Sequence, residues 1–123
     1  IFNGAKLIAL HKGTYFQSQN KLIIDSGAFV AGLEHSTQTK AIIVGKPQPT
    51  FFELASQYFD CKVNEIAMVG DDLINDILGA QKMGYTTFLV KTGKFRSSMY
   101  RSSSIRPDHL IKSINELPNY INK

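Results

Sequence analysis

Three carboxylates, Asp71, Asp72 and Asp76, fall within the otherwise apolar stretch VGDDLINDILGA. Carboxylates crowded this closely raise one another's pKa and destabilise a fold unless a cation joins them. Mg²⁺ is the natural partner, because it keeps several waters and asks for only one or two protein carboxylates. Asp72 has a second use. Between a strand and a helix it can accept backbone N–H bonds and face the positive end of that helix. Asp76 follows one helical turn later and stays near the same end. Gly70, without a side chain, lets the backbone bend and come close to a ligand. Capping accounts for one aspartate, not for three.

Lys46 is the second chemical element, in VGKPQPT. A lysine at a strand end can hold a phosphate as a point charge and offset nearby carboxylates. The stretch is not a phosphate-binding P-loop. Lys40 stands where that motif wants its first glycine, and Pro47 where it wants Ser or Thr.

These groups can meet only if strands carry them to a common edge. AIIV, residues 41–44, is too short and apolar for anything but a strand, and it leads straight to Lys46. Pro47 and Pro49 then break the structure, and a helix over 50–59 is expected with a wide apolar face packed on a sheet. EIAMV (65–69) reads as a strand, Leu73 to Gln81 as a helix ended by Gly84, and TTFLV (86–90) as a strand. Strand–helix–strand in so short a span implies an α/β fold with a parallel sheet, and ligands gather at the carboxyl ends of such strands. Strands are also expected over 5–11 and 22–24, a helix over SGAFVAGLEHST, and a last helix over 107–117.

Bulk properties bound the answer. With 123 residues, 43% apolar and 20% charged, the chain is one globular domain in size and is not a disordered composition. No apolar run approaches the ~20 residues of a membrane span. The single cysteine, Cys61, excludes an internal disulfide, reads as a small packed residue and fits a reducing cytoplasm. Lys91, Lys94, Arg96, Arg101 and Arg106, in a serine-rich stretch without acids, carry five positive charges, so against the net +4 the rest of the chain sums to about −1. This stretch is expected to be a solvated loop. As a nucleic-acid platform it lacks interleaved aromatic and basic residues, although Phe95 and Tyr100 are present, so no nucleic-acid partner is expected. His11, His35 and His109 show no metal-ligand spacing with one another or with Cys61.

Strand–GKP–helix followed by strand–GDDxxxD–helix resembles the haloacid dehalogenase superfamily of Mg²⁺-dependent phosphohydrolases, in its capped branch. The resemblance runs through AKLIALHKGTYF, GAFVAGLE, VGKPQPTFF, VGDDLINDILGAQKMG and LVKTGKFR. It implies a partial Rossmann-like core with the tail of an α/β cap: residues 1–44 from the cap, 45–123 from the C-terminal half of the catalytic core. It further implies that Lys46 steadies the phosphate and the charge of the nucleophile. Asp71 would bind Mg²⁺, and Asp76 would position metal-bound water or help ligate. Asp72 falls at a variable place. Lys94, with Lys91 and Arg96, could face a small phosphorylated substrate, and loop solvation is the alternative.

The family's chemistry also needs an aspartate nucleophile in an Asp-x-Asp motif, which attacks phosphorus to form an aspartyl-phosphate. No Asp-x-Asp occurs here; the aspartates are Asp25, Asp60, Asp71, Asp72, Asp76 and Asp108. Together with an opening that lacks methionine, this implies a C-terminal fragment that is inactive alone. Strand 65–69 is then expected to keep an open edge, inviting self-association or the missing half. The alternative is a non-catalytic fragment that binds Mg²⁺, phosphate or another protein.

Overall fold

A computed structural model describes residues 1–121 as three small sheets and the helices around them. The principal sheet is parallel, in the order β5 (Ala67–Gly70), β6 (Thr86–Val90), β7 (His109–Ile111). Its register pairs Gly70 with Leu89 and Val90 with Ile111, so the strands end level. β1 (Ile8–Ala9) runs parallel to β4 (Ile42–Ile43) as a separate pair. β2 (Tyr15–Ser18) and β3 (Lys21–Ile24) form an antiparallel hairpin. Gln19 and Asn20 turn that hairpin with φ of 45° and 65°, the left-handed conformation that a two-residue hairpin loop demands.

β6 is the spine. Its alternating side chains serve two faces, and Thr87, Phe88, Leu89 and Val90 are all buried. Phe88 and Val90 pack with Ile111 on one side, against Val69 and Leu117. On the other, Phe52, Ile66, Ala80 and Tyr85 form a second cluster with Met68 and Met83. α1 (Ser26–Thr37) follows the hairpin, and Gly79, which opens α3 (Gly79–Lys82), lies so close to the Phe52 ring that a Cβ there would stand 2.7 Å from it, which seats the helical segment tightly on α2 (Pro49–Ser56).

Several elements differ from the sequence expectation. No helix fills residues 107–117. Asp108 accepts from the Thr87 N–H and hydroxyl at 2.8 and 2.7 Å, which draws His109–Ile111 into the sheet as β7. A single 3₁₀ turn, Ile114–Glu116, follows, opened by the Ser113 hydroxyl. The helical spacing of Leu110, Ile111, Ile114 and Leu117 serves a strand and a turn equally well, and pairing to β6 decides between them. The first strand is only Ile8–Ala9, and β2 had no clear signal. The basic stretch is not all loop: Ser97–Ser102 form α4, and Arg106 ties the following turn by donating to carbonyls of Tyr100, Ser103 and Ile105. Cys61 is exposed rather than packed. The helix ends at Ser56, short of the expected 59, and of its apolar side chains only Phe52 is buried; Phe51 and Leu54 are exposed, as are Tyr58 and Phe59 beyond its end. No helix among the described residues is long and apolar enough to cross a membrane.

Candidate active site

β5 ends at Gly70 and delivers Asp71 and Asp72; β6 ends at Val90 and delivers the turn through Gly93 and Lys94. β4 ends at Ile43 and delivers Gly45 and Lys46. All three exits open on one cleft of about 420 Å³, which Lys46, Asp71, Asp72, Asp76 and Lys94 line together.

Local structure at Asp72 explains how Asp76 arrives there. The Asp72 side chain accepts from the N–H groups of Ile74 and Asn75, both at 3.0 Å, and from the Asn75 amide at 2.8 Å. The first turn of the helical segment Leu73–Leu78 is wide: the Asp72 carbonyl accepts from both Asp76 and Ile77, at 3.0 and 3.2 Å. Such π-type widening is uncommon and recurs at functional sites. It turns the Asp76 carboxylate back to accept from the Asp72 N–H at 3.1 Å, so the two aspartates cap the segment reciprocally. Gly70 permits this, because a Cβ there would collide with the Asp76 carboxylate.

Lys46 and Asp76 form the central pair, Nζ to Oδ1 at 2.6 Å, with the carboxylate almost wholly buried. Lys94 works at two points. Its backbone N–H donates to Asp71 Oδ2 at 2.6 Å, and its ammonium lies 3.2 Å from Asp72 Oδ2. Gly93 makes the first contact possible with φ +55°, since a side chain there would strike the Asp71 carboxylate. Burial alone would raise the Asp72 carboxyl; the Asn75 and Ile74 hydrogen bonds and Lys94 outweigh it and hold its pKa below the ordinary carboxylate value.

The expected residues Lys46, Asp71, Asp76 and Lys94 therefore do meet, but the three aspartates do not converge on one point. Asp72 is spent on the cap and Lys94, Asp76 on Lys46, and Asp71 keeps Oδ1 without a donor among the described residues. That donor chemistry fits a hard cation that retains its waters, held through Asp71 with Asp76 beside it. It is not a complete cage: no group of three or more His, Cys, Asp or Glu side chains converges on a metal position among the described residues.

Sequence reasoning missed the opposite wall. His11, Phe16, Gln17 and Asp25 line the same cleft. His11 Nδ1 lies 3.2 Å from the Ser26 hydroxyl and accepts from the Gly13 N–H at 3.3 Å. The signal was slight, a histidine just past a short strand. Gly93 was equally overlooked, although a glycine directly after a strand is a cue to a special backbone angle.

A family model described as HAD-hydrolase-like matches residues 43–117. Haloacid dehalogenase-like hydrolase domain-containing protein 2 of Rattus norvegicus is 45% identical over 98 residues, covering 80% of this chain and 38% of the relative. Phospholysine phosphohistidine inorganic pyrophosphate phosphatase of Homo sapiens is 36% identical over 110 residues, covering 89% of this chain and 41% of the relative. Among solved structures, 4-nitrophenylphosphatase from Thermotoga maritima superposes with a TM-score of 0.86 at 30% identity, over 96% of this chain and 46% of that one. This chain thus spans about two fifths of the curated relatives it matches.

Proposed function

We propose that this chain, which belongs to the haloacid dehalogenase-like hydrolase family, carries the second half of a Mg²⁺-dependent phosphatase site. The observation that supports it most is the Lys46–Asp76 pair, set beside Asp71 at the carboxyl edge of a parallel sheet. The substrate class is a small phosphomonoester or phosphoamidate. Residues 1–44 belong to a cap and 45–123 to the catalytic core, a division supported by the separation of the β1–β4 pair from the principal sheet.

In this reading Lys46 neutralises charge on the phosphoryl oxygens, and Asp76 holds its ammonium in place. Such positioning and neutralisation carry most of the catalysis in phosphoryl transfer. The N–H of Lys94 fixes one oxygen of Asp71, which leaves the other directed to the metal. When bound, Mg²⁺ supplies Lewis-acid stabilisation of the charge that develops on the phosphoryl group. A carboxylate nucleophile attacks phosphorus as the bond to the leaving oxygen or nitrogen breaks and that atom takes a proton; water then hydrolyses the aspartyl-phosphate. The nucleophile comes from outside these 123 residues, since they contain no Asp-x-Asp. The unpaired outer edge of β5 is where the strand that carries it, or a second copy of the chain, would add. This reading includes no nucleic-acid partner, which is supported by the guanidiniums of Arg96 and Arg106 donating to carbonyls of their own loop.

The absence of Asp-x-Asp favours one second reading, a non-catalytic fragment that binds Mg²⁺ or phosphate. The natural polypeptide, purified from its source and sequenced, separates the two. The phosphatase reading expects an Asp-x-Asp upstream and Mg²⁺-dependent hydrolysis of 4-nitrophenyl phosphate, reduced more than about a hundredfold by Lys46→Ala or Asp71→Asn. A natural polypeptide without that motif and without turnover overturns it.

A further inference from the structure

The basic stretch that follows β6 holds five serines, and they are not equivalent. Ser97 and Ser98 lie within α4, behind an Arg96 whose guanidinium donates to the carbonyls of Gly93 and Phe95 and to the Gln17 side chain. The Ser102 hydroxyl donates to the Met99 carbonyl at 3.2 Å, and the Ser103 hydroxyl accepts from the Ile105 N–H at 3.0 Å. Ser104 differs. It is exposed, its hydroxyl has no hydrogen bond among the described residues, and it stands in the irregular span between α4 and β7. That span is held at both ends. The Ser103 N–H donates to the Met99 carbonyl at 3.0 Å, and the Arg106 carbonyl accepts from the Gln81 side chain at 2.6 Å. Ser103 leaves the helix in extended backbone, with φ −80° and ψ 150°. Arg101, three residues before Ser104, is exposed and has no polar partner among the described residues. No acid occurs between Lys91 and Pro107.

We infer that Ser104 is a phosphoacceptor site for a serine kinase that selects basic substrates, and that Arg101 and Arg106 clasp the phosphate it receives. Kinases choose substrates by charge pattern. The Arg101 guanidinium offers its planar fork to a kinase carboxylate, and an acid-free flank presents nothing to repel that carboxylate. In the transfer the Ser104 oxygen attacks the γ-phosphorus of a nucleoside triphosphate held by the kinase. The bond to the bridging oxygen breaks, the hydroxyl proton passes to the kinase's base, and a nucleoside diphosphate leaves. The serine phosphate carries about −1.5 to −2 charge at neutral pH and strong acceptor oxygens. Arg106 uses only Nη1 for the carbonyls of Tyr100, Ser103 and Ile105, so its Nη2 and Nε remain as donors among the described residues. The C-terminal end of a helix disfavours an anion, so the two guanidiniums decide the outcome. Paired with both, the phosphate ties the end of α4 to the span behind it. α4 is also the element that meets the β2–β3 hairpin, where the Tyr15 hydroxyl donates to the Met99 sulfur at 3.5 Å.

Incubation of the full chain with the catalytic subunit of an arginine-directed serine kinase and Mg–ATP tests this, with tandem mass spectrometry to place the phosphate. One phosphate on Ser104 is expected, and Ser104→Ala abolishes it. Arg101→Ala, a change at an exposed side chain without a polar partner, lowers kcat/KM for the transfer about tenfold, the worth of one charge-assisted pair. In the phosphorylated chain amide hydrogen exchange over 97–106 slows about fivefold, and Arg101→Ala phosphorylated to completion loses most of that slowing. The inference is overturned by a lack of transfer to the unaltered chain, by phosphate placed on another serine, by a rate indifferent to Arg101, or by exchange that does not slow.

Discussion

Removing the ammonium of Lys46 tests the central pair. Lys46→Met keeps the stem and deletes the charge, leaving the Asp76 carboxylate, only 5% exposed, with the Asp72 N–H as its remaining partner at 3.1 Å. At 2.6 Å and an effective dielectric of about 20 the Coulomb attraction is roughly 6 kcal/mol, most of it offset by desolvation of both ions. The Lys46 side chain is 36% exposed, so water screens part of the remainder. A loss of about 2 kcal/mol is therefore expected for Lys46→Met, below the ~3–5 kcal/mol of a fully buried pair. Asp76→Asn added to it removes the stranded charge while keeping an acceptor for the Asp72 N–H. The double variant should be more stable than Lys46→Met alone, with a coupling of about 1–2 kcal/mol in a cycle of urea unfolding curves. Additivity of the two substitutions within about 0.5 kcal/mol would refute a buried, mutually dependent pair.

Gly93→Ala combines a left-handed backbone angle with a collision at the Asp71 carboxylate, so it should cost about 2 kcal/mol in urea unfolding and weaken Mg²⁺ binding at least tenfold by calorimetry. Tyr85→Phe deletes the bond from its buried hydroxyl to the Phe52 carbonyl at 2.7 Å and should cost about 1–2 kcal/mol, with the sheet otherwise intact by circular dichroism. Thr87 hydrogen bonds hold the Asp108 carboxyl below its ordinary value of 3.8. A carboxyl lowered on folding stabilises above that ordinary value, and the contribution is lost as pH falls through the lower folded pKa. Acid unfolding below pH 3.8 should thus be less steep in Asp108→Asn than in the parent. The open edge of β5 predicts self-association in sedimentation velocity, reduced by Ala67→Lys; a monomer at every concentration would count against an edge that seeks a partner.

What could be read from the sequence was the centre of the fold. EIAMV, TTFLV and the glycine-aspartate junction announce strand, turn and helix locally, and βαβ chirality then places Asp71 at the carboxyl edge of the sheet, whereas Lys46 reaches it from β4 in a separate pair. Where the determinants are tertiary, reading failed. Asp108 is an ordinary polar residue in the sequence, and its bonds to Thr87 convert an apparent helix into β7. The polar run QSQNK does mark the hairpin turn at Gln19 and Asn20, but Tyr15–Ser18 before it carries no strand signal of its own. The apolar face of α2 points correctly to a packed helix through Phe52, yet Leu54 on it and Tyr58 just beyond it are exposed. Periodicity reports that a face is apolar without saying which chain covers it.

The three aspartates that share one short stretch divide their work according to what each one touches. Asp72 faces the free N–H groups of a helical start, where a carboxylate is stabilised whether or not any ligand is present. Asp76 reaches the Asp72 N–H only because the first turn is wide, and its other oxygen meets Lys46 from a different strand. It thereby joins the capping of one element to the placement of a cation on another. Asp71 takes part in neither and is held by a single backbone donor from Lys94, with one oxygen left uncommitted. A carboxylate in a capping or ion-pair network is costly to redirect, so the proposed metal binding would fall to the one whose commitments are fewest. The crowding that calls for a cation is thus relieved twice within the protein, by Lys46 and by Lys94, and what remains for a metal is the charge of Asp71.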